Sequence, residues 1–63
     1  MLVNINTASP DELCTLRQIG EKRALAIVEY RETSGAFGSV EELCEVDGIS
    51  DGILNAIREY ITT

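Results

Sequence analysis

Leu13-Cys14-Thr15-Leu16-Arg17-Gln18-Ile19-Gly20-Glu21-Lys22-Arg23-Ala24-Leu25-Ala26-Ile27 decides how this chain is read. Just before it, Ser9-Pro10-Asp11-Glu12 is a helix start. Ser takes the N-cap, Pro the first helical position where its missing N–H costs nothing, and Glu the third position, where it can reach back to the cap. A turn signal, Gln18-Ile19-Gly20, arrives within about two helical turns, so the first helix is short. A longer helical pattern then runs from Glu21 to about Thr33, with Ala24, Ile27 and Val28 at i, i+3, i+4 spacing and Leu25 widening the stripe. The local order is short helix, tight turn, longer helix.

The same order returns downstream. With Ser9 laid on Ser39, Glu12 meets Glu42, Leu13 meets Leu43, Cys14 meets Cys44, Ile19 meets Ile49, Ala26 meets Ala56, Ile27 meets Ile57 and Tyr30 meets Tyr60, with no gap. Ser39-Val40-Glu41-Glu42 repeats the capping box, and Asp47-Gly48-Ile49-Ser50 repeats the turn. One short helix pair cannot bury its apolar face, whereas two pairs packed about a pseudo-two-fold axis can. The expected architecture is all-α: one domain over 1–63, repeat one at about 9–31, a linker at about 32–38 and repeat two at about 39–61. Its four helices are expected at 10–16, 21–33, 40–46 and 51–61. The expected core is Ile5, Leu13, Leu16, Ile19, Ile27, Val28, Phe37, Leu43, Val46, Ile49, Ile53, Ile57 and Ile61. Tyr30 and Tyr60 are expected to finish helix packing, and Asn4 and Asn6 to act as turn and cap residues.

Composition bounds the function. A chain of 63 residues buries only about 60% of the surface its unfolded form exposes, which implies modest stability. The formal net charge is −6, with eleven Asp and Glu against five Lys and Arg and no His. That balance suits a soluble protein and opposes strong DNA binding, which ordinarily uses a basic face. No apolar run approaches the roughly 18–20 residues of a membrane span, so no membrane contact is expected from this segment. No basic, apolar leader is visible at Met1-Leu2-Val3-Asn4. The chain fits a complete small cytoplasmic protein or the folded part of a longer one. Cys14 and Cys44 lack paired-ligand spacing, and structural zinc needs four ligands, so no metal site or cofactor is expected. They read as reduced thiols partly covered by neighbouring helices, with a disulfide as the less favoured alternative.

These residues resemble the tandem helix-hairpin-helix domain of the ComEA-type competence proteins. Val3-Asn4-Ile5-Asn6-Thr7-Ala8 is similar to the family's opening, and Leu13-x-x-Leu16-x-x-Ile19-Gly20-x-x-x-Ala24-x-x-Ile27 to its first hairpin unit. Tyr30-Arg31-x-x-x-Gly35-x-Phe37-x-Ser39 is similar to its linker, and Leu43-x-x-Val46-x-Gly48-Ile49 to its second hairpin. The resemblance covers almost the whole chain. It implies sequence-independent binding of double-stranded DNA during DNA uptake. It also implies a surface or periplasmic location if this is the end of a longer, anchored protein. Related tandem units elsewhere serve protein contacts only.

The family hairpin is Gly-apolar-Gly. The first Gly ends a helix, where a positive φ is often needed. The apolar residue fills the space between the helices. The second Gly opens the next helix, and without a side chain it lets a phosphate approach free backbone N–H groups favoured by the helix dipole. Such contacts read the DNA backbone and not the bases. This chain departs from the pattern twice: Gln18-Ile19-Gly20 has lost the first Gly, and Gly48-Ile49-Ser50 the second. Copy one keeps Gly20 with Arg17, Lys22 and Arg23 nearby, and reads as the nucleic-acid-binding hairpin: Arg17, Gln18, Ile19, Gly20, Lys22 and Arg23. Copy two, Gly48, Ile49 and Ser50, reads as mainly structural, because Asp47 and Asp51 flank it and Ser50 is placed to cap its own helix. The three basic residues also fit an ordinary solvated face, and Glu41, Glu42 and Glu45 a solvated helix start.

Two functions follow. One is weak, sequence-independent binding of duplex DNA through the first hairpin. The other is a protein–protein module that keeps the fold and has lost DNA binding, suggested by the acidic charge and the altered second hairpin. An enzyme is not expected, for want of His, paired Cys and room for a substrate pocket.

Overall fold

The computed structural model describes residues 2–63, and its body is helical. In chain order it comprises β1 (Val3–Asn4), α1 (Pro10–Leu13), α2 (Glu21–Thr33), a 3-10 helix over Val40–Glu45, α3 (Asp51–Ile57), a 3-10 turn over Arg58–Tyr60 and β2 (Ile61–Thr62). Four helical regions therefore fall where the sequence pattern puts them. The first is shorter than expected, the third is 3-10 rather than α, and the fourth gives way to 3-10 at Arg58.

The first and third regions show why. At Ser9 the capping box closes: the Glu12 amide donates to Ser9 Oγ (3.2 Å) and the Ser9 amide donates to Glu12 Oε1 (3.1 Å). Leu13 and Cys14 then donate to the carbonyls of Ser9 and Pro10, as an α-helix requires. Beyond Cys14 the amides of Thr15 and Leu16 reach back only three residues, and the Thr15 hydroxyl donates to the Glu12 carbonyl (2.6 Å). The helix tightens into the turn and stops before residue 16. At Ser39 the expected box does not form. The Ser39 side chain caps no amide, and Glu42 Oε1 accepts from Gly38 instead (2.9 Å). With no cap and a β-branched Val40 at its start, this segment bonds in three-residue steps.

The core gathers Ile5, Leu13, Leu16, Ile19, Ile27, Phe37, Leu43, Val46, Ile49, Ile53, Ile57 and Ile61 as expected, and adds Ala8, Ala24 and Leu54, while Leu25, expected to widen the apolar stripe of α2, is exposed. Val28 is only partly buried and packs on its edge. Tyr30 stacks on Phe37 with ring centroids 5.0 Å apart, while its counterpart Tyr60 is exposed rather than finishing helix packing. Cys14 is exposed, against the expectation of partial cover, because it faces outward at the end of α1. Cys44 is partly covered, and both thiols are free.

The two ends of the chain meet, an addition to the all-α expectation. β1 pairs in parallel with β2, Val3 opposite Ile61 and Asn4 opposite Thr62, and the Ile5 amide extends the pairing to the Thr62 carbonyl (2.9 Å). A two-residue ladder carries no periodic signature, so only the meeting of the ends reveals it. Two polar side chains hold the N-terminal segment down. Asn6 exchanges two hydrogen bonds with the backbone of Phe37, its Oδ1 accepting from the amide (2.7 Å) and its Nδ2 donating to the carbonyl (3.0 Å). Arg31 on α2 donates from Nη1 to the Ile5 carbonyl (2.9 Å) and from Nη2 to the Ala8 carbonyl (2.6 Å). Asn4 makes the local turn, its Oδ1 accepting from the Asn6 amide (2.8 Å).

Candidate functional site

Both hairpins turn by the same backbone device. Gln18 has φ 65° and Gly48 has φ 89°, the left-handed region, at matched positions of the two copies. For Gly48 that conformation is free of steric cost, while a Cβ-bearing residue such as Gln18 adopts it at a penalty of roughly 1–2 kcal/mol. The following isoleucines, Ile19 and Ile49, are buried and fill the space between the helices of their copies.

The next residue separates the two copies. Gly20 is the N-cap of α2, with φ −88° and ψ −175°, a conformation open to any residue. A Cβ built at Gly20 would meet nothing within 4 Å. Neither the backbone nor the packing of this chain requires glycine there. A cap bearing Ser or Asp would stabilise the helix by roughly a few tenths of a kcal/mol. What glycine leaves is an uncapped helix start. The first internal bond of α2 runs from the Ala24 amide to the Gly20 carbonyl (2.9 Å), and no side chain caps the amides before it. Those amides, on Glu21, Lys22 and Arg23, point out of the positive end of a helix of 13 residues.

At the second hairpin Ser50 is the N-cap of α3, and its Oγ accepts from the Ile53 amide (3.4 Å). A side chain there occupies the ground a ligand anion would use. The acid at this end is engaged by Cys44: its thiol donates to Asp51 Oδ1 (3.0 Å), and that bond, helped by burial, holds the thiol pKa above its ordinary value.

The hairpins lie side by side. Gly20, Lys22, Arg23 and Ala26 from the first copy share a hollow of about 320 Å³ with Asp47 and Gly48 from the second. Arg17 stands apart from this group, in a separate groove of about 390 Å³ with Val3, Thr15, Leu16 and Tyr60. On the far side of Ala26, Glu29, Glu45 and Asp47 line an acidic groove with Tyr30 and Val46. Asp47 therefore marks the border between a cationic side and an anionic one.

The guanidinium of Arg23 is engaged with protein: Nε donates to the Gly48 carbonyl (2.8 Å) and Nη1 to the Gln18 carbonyl (3.2 Å). Sequence reasoning places Arg23 beside Gly20 but carries no signal for these two acceptors, one of them in the other copy. Lys22, by contrast, is exposed and makes no hydrogen bond or ion pair among the described residues. Of the acids at the third helix, Glu41 pairs with Arg58 of the 3-10 turn. Its carboxyl is held below the ordinary carboxylate range, chiefly by its own backbone amide and then by Arg58. Among the described residues no group of His, Cys, Asp and Glu is arranged to hold a metal ion, and no helix is long and apolar enough to cross a membrane.

The family model described as the helix-hairpin-helix motif matches residues 1–62. The chain is 48% identical over 59 residues to the human "Endonuclease/exonuclease/phosphatase family domain-containing protein 1", a match covering 94% of this chain and 10% of that protein. It is 41% identical over 61 residues to "ComE operon protein 1" of Bacillus subtilis, covering 97% of this chain and 30% of the relative. An uncharacterized protein of Haemophilus influenzae is 47% identical over 60 residues, covering 94% of this chain and 54% of its own length. The chain thus spans about a tenth of the human relative and under a third of the Bacillus one.

Proposed function

Because this chain belongs to the helix-hairpin-helix motif family, we propose that it binds double-stranded DNA weakly and without sequence preference, through backbone amides of the first hairpin. In this reading the two copies form a tandem pair about a pseudo-two-fold axis. The observation that carries it is the uncapped start of α2 at Gly20, where a glycine that the fold does not need leaves amides open beside Lys22. A phosphate oxygen seated there accepts from the amides at the positive end of the helix dipole and sits near the Lys22 charge. Arg17 adds a phosphate contact from its separate groove. No side chain is assigned to a base edge, so the contacts position the duplex without reading it. Similarity to ComE operon protein 1 supports a place in DNA uptake. The domain is a binding module and not an enzyme, and it needs no cofactor.

The charge sets the strength. With a net charge of −6, the surface away from Lys22 repels DNA, and salt screens that repulsion over about 8–10 Å. Two to four phosphate contacts give an expected slope of log K against log salt of roughly −2 to −4, and affinity near the non-specific range of about 10⁻⁴ to 10⁻⁶ M. Titration of random and defined duplexes by fluorescence anisotropy at several salt concentrations tests this. Equal affinity for both duplexes with that slope supports the proposal. Absence of binding even at about 20 mM salt, where counterion release favours phosphate contacts most, supports a protein–protein module instead. The acidic groove of Glu29, Glu45 and Asp47 is the observation behind that second reading.

A further inference from the structure

We propose that Arg23 is a positioning residue shared by both hairpins, one that locks them in register so the open start of α2 meets a duplex at a fixed angle. The part concerning the duplex rests on the DNA-binding reading above; the clamp itself does not.

The acceptors make the case. Arg23 donates from Nε to the carbonyl of Gly48 and from Nη1 to the carbonyl of Gln18. These are the two matched residues with positive φ, one in each hairpin. Each follows a short helical segment, where exposed carbonyls carry partial negative charge, and a cation there is favourable. The planar guanidinium projects its donors in fixed directions and can hold two acceptors at once, which the single ammonium of a lysine does with far less directional control. The aliphatic stem adds to the contact: a Cβ at Gly48 would lie 3.8 Å from Arg23 Cγ and Nε, so the arginine is laid along the glycine.

The clamp is one-sided. The residue matched to Arg23 in the second copy is Ile53, buried in the core with 8% exposure. Among the described residues no side chain of α3 returns the contact, so a single guanidinium joins the two hairpins. This gives hairpin two a role that does not require it to touch phosphate. It supplies the Gly48 carbonyl against which Arg23 is braced, and so holds the first turn of α2 in place. Lys22, free and exposed one residue earlier, is left to make the phosphate contact.

Three variants of the full chain decide this: Arg23→Lys, Arg23→Met and Lys22→Met as reference. Without DNA, both Arg23 variants are expected to shift the backbone amide resonances of Gly48 and Ile49 and to speed exchange at the Ile49 amide, which donates to Val46 (3.1 Å). Lys22→Met should leave these unchanged. With duplex DNA, Arg23→Lys and Arg23→Met should weaken binding alike, by roughly fivefold, with the salt slope of wild type, while Lys22→Met should make the slope shallower by about 0.9. A lysine variant that binds like wild type, with the methionine variant losing about 0.9 of slope, would make Arg23 a phosphate ligand and overturn the clamp. Unchanged resonances and exchange in hairpin two would overturn it as well. Altered hairpin-two signals in a protein whose wild type binds no duplex would retire the DNA reading and leave the clamp standing.

Discussion

Hairpin one and hairpin two sit at matched positions of one repeat and differ in charge and in helix start. Both turn through a left-handed residue, at Gln18 and Gly48, and both bury an isoleucine behind it. They part at the helix start. Gly20 leaves the amides of α2 uncapped, whereas the Ser50 hydroxyl takes the Ile53 amide of α3. They part again in their flanks, since Arg17 and Lys22 of the first copy are matched by Asp47 and Gly52 of the second. The difference teaches how a duplicated motif can keep its turn while changing its helix start. The copy with the better backbone turn has the capped helix, and the copy with the strained turn keeps the uncapped one. Stability and ligand access are set at different residues of the same four-residue segment.

Removing the cationic flank of hairpin one should break the comparison most severely. The double variant Arg17→Glu, Lys22→Glu is expected to lose duplex affinity by about 30-fold or more, close to 2 kcal/mol, while Ser50→Ala changes it less than about twofold. Anisotropy titrations of the two variants side by side check this, and equal losses would mean that both hairpins carry phosphate. The converse experiment builds hairpin one's features into hairpin two. Asp47→Arg, Ser50→Gly, Gly52→Lys is expected to raise affinity about tenfold and steepen the salt slope by up to about 1.8, two contacts at about 0.9 each. A steeper slope without altered helicity by circular dichroism would show that flank charge and cap, not the fold, silence the second copy.

The turns themselves can be exchanged next. Gln18→Gly relieves a left-handed non-glycine residue and should stabilise the fold by about 1 kcal/mol, raising the melting temperature by roughly 4–8 °C. Gly48→Ala should do the reverse, through its positive φ, because its Cβ finds ordinary contact distance to Arg23. Thermal melts decide whether Gln18 is a tolerated strain or is compensated by the Arg23 bond to its carbonyl. The caps offer a smaller contrast. Ser9→Ala breaks a closed capping box and should cost about 1 kcal/mol in urea unfolding, whereas Ser39→Ala, which caps no amide, should cost no more than a few tenths.

The smallest effect concerns acid. Glu41 is depressed in the folded state by its own amide and by Arg58, so its contribution is present above the ordinary carboxylate range and disappears as pH falls through the folded value. Glu41→Gln should therefore lower stability slightly at neutral pH and converge with wild type under acidic conditions. The pair is exposed, which keeps the difference small. A variant that stays less stable at low pH would show that the Glu41 carboxylate acts through something other than its charge.

The amino-acid sequence by itself determined where the four helical regions lie, which isoleucines face inward, and that Gly20 and Ser50 begin their helices differently. Each of these depends on residues within a few positions of one another: a cap and its third neighbour, a stripe at helical spacing, a glycine next to a turn. Its self-similarity also brings the two turns into correspondence. The sequence pattern placed Leu25 on the apolar stripe of α2, where it is exposed, and left out the buried Leu54. Tertiary structure decided the rest. The pairing of Val3–Asn4 with Ile61–Thr62, the Asn6 bonds to Phe37 and the Arg31 bonds to Ile5 and Ala8 all join segments far apart in the chain. The failure of the Ser39 box, the exposure of Tyr60 and the engagement of Arg23 with both hairpins belong to the same class. A polar side chain has several acceptors within reach of its length. Which one it takes depends on how the two halves pack, and a pattern of neighbouring residues carries no record of that distance.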